Sequence, residues 1–149
     1  EVEVVLVVSP SCSGCNNPGL PAAWSTITSS FQETASRQGT RATLTGVSIG
    51  ADPQEGIDFL SGFGPFHELL TGRGWLGQGA RFFVKETHKG PAVVPQVVVI
   101  ERLNSVGSDG ILEMAEERVS QRRHGAEGLL GWAEEIRARS GSGGNPPEI

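Results

Sequence analysis

Two of the 149 residues are cysteines, Cys12 and Cys15, and they stand in the order Cys12-Ser13-Gly14-Cys15. A thiolate is the sulfur nucleophile, and a second thiol three residues on lies within reach to resolve the mixed disulfide the first one forms. The pair follows a Val/Leu run, Val2 to Val8, and precedes a helical pattern from Ala22. A helix start presents unpaired N–H groups and a positive dipole end, which would hold Cys12 below the free-thiol value of about 8.5. C-x-x-C beside a β-α-β pattern is a redox motif. Two plainer readings compete. A structural disulfide across so short a loop contributes only about 2 kcal/mol in the chain-entropy model. Half of a metal site would need His67, His88 or His124, but none has a second ligand at metal-site spacing, and all three read as surface histidines. The expectation is therefore Cys12 as attacking thiolate and Cys15 as resolving thiol, with no metal and no cofactor.

Two other patterns invite chemistry. Gly46-Val47-Ser48-Ile49-Gly50 matches G-x-S-x-G, with Asp109 and His124 following in triad order. Such a pentapeptide is common in a chain with 21 glycines, and the chain is short for a hydrolase sheet. Gly72-Arg73-Gly74-Trp75-Leu76-Gly77 matches G-x-G-x-x-G, but a dinucleotide site needs a strand before it, and Phe66 to Leu70 reads as a helical turn. The stretch reads instead as a flexible insertion that packs Trp75, Phe82 and Phe83 near the active edge.

The elements that must position the cysteines are legible from periodicity. Val2 to Val8 lacks polar alternation apart from Glu3, as in a strand buried on both faces. Trp24, Ile27, Phe31 and Ala35 share one face of a helix from Ala22 to Gln38, closed by Gly39. The breaker-rich stretch Asn16 to Pro21 threatens to keep that helix from starting at the cysteines. Ala42 to Ile49 reads as a second strand. Asp52 is an N-cap with Pro53 at the first helical position and Glu55 two residues on, opening a short helix through Leu60. Ala80 to Lys85 is ambiguous. Gln96 to Ile100 is the second strong strand, Asp109-Gly110 a hairpin turn, and Ile111 to Val119 the returning strand. Leu129, Trp132, Ala133 and Ile136 line one face of a helix from Ala126 to Arg139. Trp24 and Trp132 sit at core spacing. The order β-α-β-α-β-β-α predicts an α/β fold, a small mixed sheet with helices on both faces, over residues 1–139, and a disordered Gly/Ser/Pro tail over 140–149.

Composition narrows the partners. Hydrophobic residues are 37 % and charged residues 19 %, the balance of one globular domain. A net charge of −5 and the lack of a basic run beyond Arg122-Arg123 argue against nucleic acid. No apolar stretch approaches the roughly 20 residues of a membrane span. The first residue is Glu, which suggests a processed or trimmed chain and an extracytoplasmic, periplasmic or secreted, location, released from or tethered by a missing N-terminal segment.

From Val2 to Arg139 the chain resembles the thioredoxin-like superfamily. The resemblance rests on the strand leading to Cys12-Ser13-Gly14-Cys15, the Val94-Pro95 step into Gln96 to Ile100, and the closing hairpin and helix. It implies a thioredoxin-like α/β fold and thiol–disulfide oxidoreductase activity. It also implies a cis-proline at Pro95 facing the dithiol, and a backbone at Val94 that pairs with extended substrate. Partners would be protein thiols or disulfides, including a membrane-bound redox partner or a larger complex. The sequence departs from the family at Ser11, where cytoplasmic thioredoxins have Trp, at the Ser13-Gly14 pair, and at Leu6, where they bury an acid. These departures suit a specialised exported member, or a binding or assembly subunit whose Cys12–Cys15 disulfide is fixed.

Overall fold

The computed structural model describes residues 1–141. One mixed sheet of five strands runs in the order β3-β2-β1-β4-β5. Strand β1 (Val2–Val8) is central and buried along its whole length. It pairs in parallel with β2 (Ala42–Ser48), with Val2 opposite Ala42 and Val8 opposite Ser48. Helix α1 (Leu20–Arg37) supplies the crossover. On its other side β1 pairs antiparallel with β4 (Gln96–Val106), which forms a hairpin with β5 (Leu112–His124). Gly110 takes φ +79° in the turn between them, as the Asp-Gly signal predicts. Both hairpin strands outrun their sequence estimates: β4 keeps pairing with β5 beyond Glu101, where β1 has ended, and β5 runs on to His124 because it pairs with the head of β4 at Gln96.

Helix α2 (Pro53–Ser61) starts where predicted: Asp52 Oδ1 accepts from the N–H groups of Gln54 (2.8 Å) and Glu55 (3.3 Å). Asp52→Ala should cost about 1 kcal/mol, read as a lower melting temperature with unchanged thiol chemistry, because two helix N–H groups lose their acceptor.

Phe66 to Leu70 is a correction. Glu68–Leu70 is a short edge strand, β3, parallel to β2 with Thr45 opposite Glu68. Three residues are too few to show a period, and the free edge of β2 decides their conformation. Ala80 to Lys85 resolves as helix: α3 (Gln78–Ala80) runs into a π-helical turn over Arg81–Lys85. Helix α4 spans Ala126–Gly141, so Ser140 and Gly141 are helical, and the rest of the expected tail lies outside the described residues.

Alternation along β1 builds two core layers. Val2, Val4, Leu6 and Val8 point to the face covered by α1, α2 and α4, where Trp24, Phe31, Leu60, Trp132 and Ile136 pack. Val5 and Val7 join Val47, Val98 and Ile100 on the other face, under Ala80, Phe83 and Val84. Both tryptophans expected in the core, Trp24 and Trp132, are there. The stretch around Phe83 is not an insertion at the active edge but the cover of the second face. Gly79 lets it close, since a Cβ there would stand 2.7 Å from Val47 Cγ1.

That cover is short, and the far half of the face is polar. Glu3, buried within β1, accepts from Thr45 Oγ1 at 2.5 Å and pairs with Arg102 at 2.6 Å. Arg102 also holds Glu117, which reaches His88 Nε2 at 2.7 Å. His88, read as a surface histidine, is buried between Phe82, Phe83 and that carboxylate. A cavity of about 680 Å³ opens beside this network, with Glu3, Thr45, His67, Arg81, Phe82 and Arg102 in its lining.

Candidate dithiol site

The end of β1 throws the chain into a tight loop that carries both cysteines. Cys12 N–H donates to Ser9 O at 3.1 Å. Asn16 ties the loop, its Nδ2 donating to Pro10 O and Cys12 O at 2.8 Å each. Gly14–Asn16 forms a single 3-10 turn holding Cys15. Helix α1 begins only at Leu20, after Asn17, Pro18 and Gly19. The breaker stretch therefore does what its composition predicts, and the α1 dipole does not start at Cys12.

Both cysteines are free thiols with unlike surroundings. Cys12 is half-buried, with its Sγ 3.4 Å from Val94 O, to which the thiol donates. The same sulfur accepts the Cys15 N–H at 3.2 Å. Cys15 lies behind it, 2 % exposed, and accepts the Ser9 N–H at 3.4 Å. Burial, then the hydrogen bond to Cys12 and its charge, push the Cys15 thiol up to about 12, against a weaker opposing pull from Ser9 N–H. Leu6, at the position where thioredoxins bury an acid, is core hydrocarbon.

The opposite wall is the Val94-Pro95 step, whose peptide bond is cis. Gly14 faces this wall at close range: a Cβ there would stand 3.3 Å from Pro95 Cδ, so the ring would have to give by a few tenths of an ångström. Thus Cys12 and Cys15 meet Val94 and Pro95, 79 to 83 residues further along the chain, at one end of the sheet. Sequence reading missed Gly14 and Asn16, since neither spacing nor type marks a glycine for close approach or an asparagine for a loop tie. A third miss, Gln96, did carry a signal: it is the polar residue in front of a run of four apolar ones.

The two other patterns dissolve. Ser48 ends β2 and His124 ends β5, with β1 and β4 between them, so three strand spacings of about 4.8 Å separate them. Asp109 lies past Val106, at the other end of β4 from the residue paired with His124. No triad forms. Ser48 is 2 % exposed and its hydroxyl has no partner among the described residues. Ser48→Ala should therefore raise stability by about 1 kcal/mol in a denaturant titration, by removing an unpaired buried hydroxyl. A fluorophosphonate probe should leave Ser48 unlabelled. Gly72–Gly77 does follow a strand, β3, contrary to expectation, but its glycines answer to backbone geometry. Gly72 and Gly74 take φ +85° and +52°, and a Cβ at Gly77 would stand 2.5 Å from Gly72 O. His67 and His124 are exposed and His88 pairs with Glu117.

Parallel β1-α1-β2, antiparallel β4-β5, a closing helix and a dithiol at the carboxyl end of β1 make this a thioredoxin-like α/β fold. No protein-family model matches the sequence, and no curated protein matches it. Among solved structures, one reported for a disulfide switch in BsSco, a member of the Sco family of cytochrome c oxidase assembly proteins, aligns over 95 % of this chain and 81 % of its own. The two are 16 % identical, with a TM-score of 0.40. The fold assignment rests on the strand order and connections of this chain. Among the described residues, no helix is long and apolar enough to cross a membrane.

Proposed function

We propose that the protein is a thiol–disulfide oxidoreductase acting on protein or small-molecule thiols and disulfides. The observation that carries this reading is the asymmetry of the pair. Cys12 reaches the surface with its sulfur against the Val94 carbonyl and the Cys15 N–H, while Cys15 is buried directly behind it. In the reducing direction the Cys12 thiolate attacks a substrate disulfide, forming one S–S bond and releasing one substrate thiolate. Cys15 then gives up its proton and attacks Cys12 Sγ. The second substrate thiolate leaves, and the protein holds the Cys12–Cys15 disulfide, two electrons poorer. Oxidation of substrate is the reverse, and the compartment sets the direction. Val94 and Pro95 form the substrate-facing wall, with the Val94 backbone pairing to an extended segment. We place this activity outside the cytoplasm, where disulfides persist, with a membrane-bound redox partner or larger complex as the natural recipient.

A redox titration of the Cys12–Cys15 pair tests the reading. A reversible midpoint between about −270 and −120 mV, the span of thiol–disulfide catalysts, supports it. A pair that stays oxidised below about −300 mV, or thiols that resist alkylation without denaturant, replaces it with the second reading, a binding or assembly subunit with a fixed disulfide.

A further inference from the structure

We propose that Gln96 and Arg122 are positioning residues for the dithiol site, a two-residue clamp that holds the Val93–Pro95 wall against Cys12. Gln96 is fully buried at the head of β4. Its Nε2 donates to Pro91 O at 3.1 Å and Val93 O at 2.7 Å, so the side chain folds back onto the segment that leads into it. Its Oε1 accepts from Arg122 Nη1 at 2.5 Å. Arg122, on β5, uses Nη2 on two further carbonyls, Phe83 O at 3.1 Å and His88 O at 2.6 Å. Gly90 closes on the same guanidinium, where a Cβ would stand 2.5 Å from Cζ.

A half-buried guanidinium spent on an amide and two carbonyls is a costly arrangement, and burial pulls its pKa down. What it achieves is local. Between the π turn ending at Lys85 and β4 starting at Gln96 the chain has no helix or strand to fix it. Backbone bonds from His88 N–H to Phe82 O and from Gly90 N–H to Val84 O hold its first half. Gln96 supplies the tie at Pro91 and Val93, and Arg122 anchors Gln96 to Phe83 and His88, next to the Val94 carbonyl that meets Cys12 Sγ at 3.4 Å. A site held by interlocked hydrogen bonds is preorganised, and loss of one donor loosens it without removing any group that touches substrate.

This inference rests on the redox reading for its kinetic arm alone. The variants are Gln96→Glu, which keeps the acceptor for Arg122 but turns the two donors into a carboxylate facing carbonyls, and Arg122→Lys, which keeps the charge and loses the fork. Arg118→Ala, exposed on the same strand, is the control. Alkylation of Cys12 by iodoacetamide at fixed pH should be about three- to tenfold faster in Gln96→Glu, with Arg122→Lys intermediate and Arg118→Ala unchanged. With a glutathionylated peptide as substrate, KM should rise about tenfold in Gln96→Glu while kcat stays within about twofold. A merely structural role predicts a lower melting temperature with alkylation rate and KM unchanged in the folded variants, and that result overturns the proposal. If the wild-type protein exchanges no disulfide, the redox reading fails, and the alkylation rates still judge the clamp. If Gln96→Glu does not fold, Arg122→Lys decides through the same two measurements.

Discussion

Cys12→Ser should abolish disulfide exchange, lowering the rate more than about a thousandfold, the scale on which loss of a nucleophile acts. A serine hydroxyl at this position ionises far above any working pH, and among the described residues no base stands within hydrogen-bond distance of Cys12 Sγ to activate it. The contacts are the Val94 carbonyl and the Cys15 N–H. The melting temperature should barely move, because Cys12 only borders the core that Trp24, Phe31 and Trp132 fill. Cys15→Ser should behave differently. It leaves the first attack intact and blocks resolution, so a mixed disulfide between Cys12 and the substrate accumulates and is seen by non-reducing mass spectrometry. Full exchange by Cys12→Ser, or a mixed disulfide trapped on Cys15 in Cys12→Ser while Cys15→Ser traps none on Cys12, would overturn the assigned roles.

The reduced protein should lose stability steadily as pH rises from about 9 to about 12. The Cys15 thiol has an ordinary value of 9.0 when free and is pushed up to about 12 in the fold, chiefly by burial. A raised thiol value means that the folded state holds its proton where the unfolded state has lost it. Over that window the unfolded chain binds fewer protons, so unfolding free energy falls with pH, by at most about 1.4 kcal/mol per pH unit. Below pH 9 both states are protonated and the contribution is fully present. Denaturant titrations of the reduced protein at several pH values would show the slope, and Cys15→Ala should flatten it. Oxidation should also flatten it, since the disulfide has no proton to lose. A slope unchanged in Cys15→Ala would assign the alkaline loss to other groups.

The same burial shapes the proposed reaction. Cys15 must ionise to resolve the mixed disulfide, and the groups that act on its thiol are Cys12 and the backbone N–H groups of Ser9 and Cys15 itself. With Leu6 where thioredoxins place an acid, the proton has to leave with the departing thiolate or to water.

Local sequence was enough for the central strand, the N-cap at Asp52, the two long amphipathic helices and the dithiol loop. Each depends on short-range physics: β-branched runs favour strands buried on both faces, an Asp-Pro step sets a helix start, and breakers between Asn16 and Pro21 delay α1. The same holds for the candidate pair Cys12 and Cys15, whose spacing lies within one loop. Tertiary structure decided the rest, because the deciding partner is far along the chain. Glu68–Leu70 is a strand only because β2 offers an edge, and His88 is buried only because β5 brings Glu117 to it. Val94 faces Cys12 because the sheet brings the head of β4 beside the end of β1 and because Gln96 and Arg122 tie down the segment that leads into it. Ser48, Asp109 and His124, lined up in triad order along the chain, are parted by the strand order β2-β1-β4-β5, which no local pattern encodes.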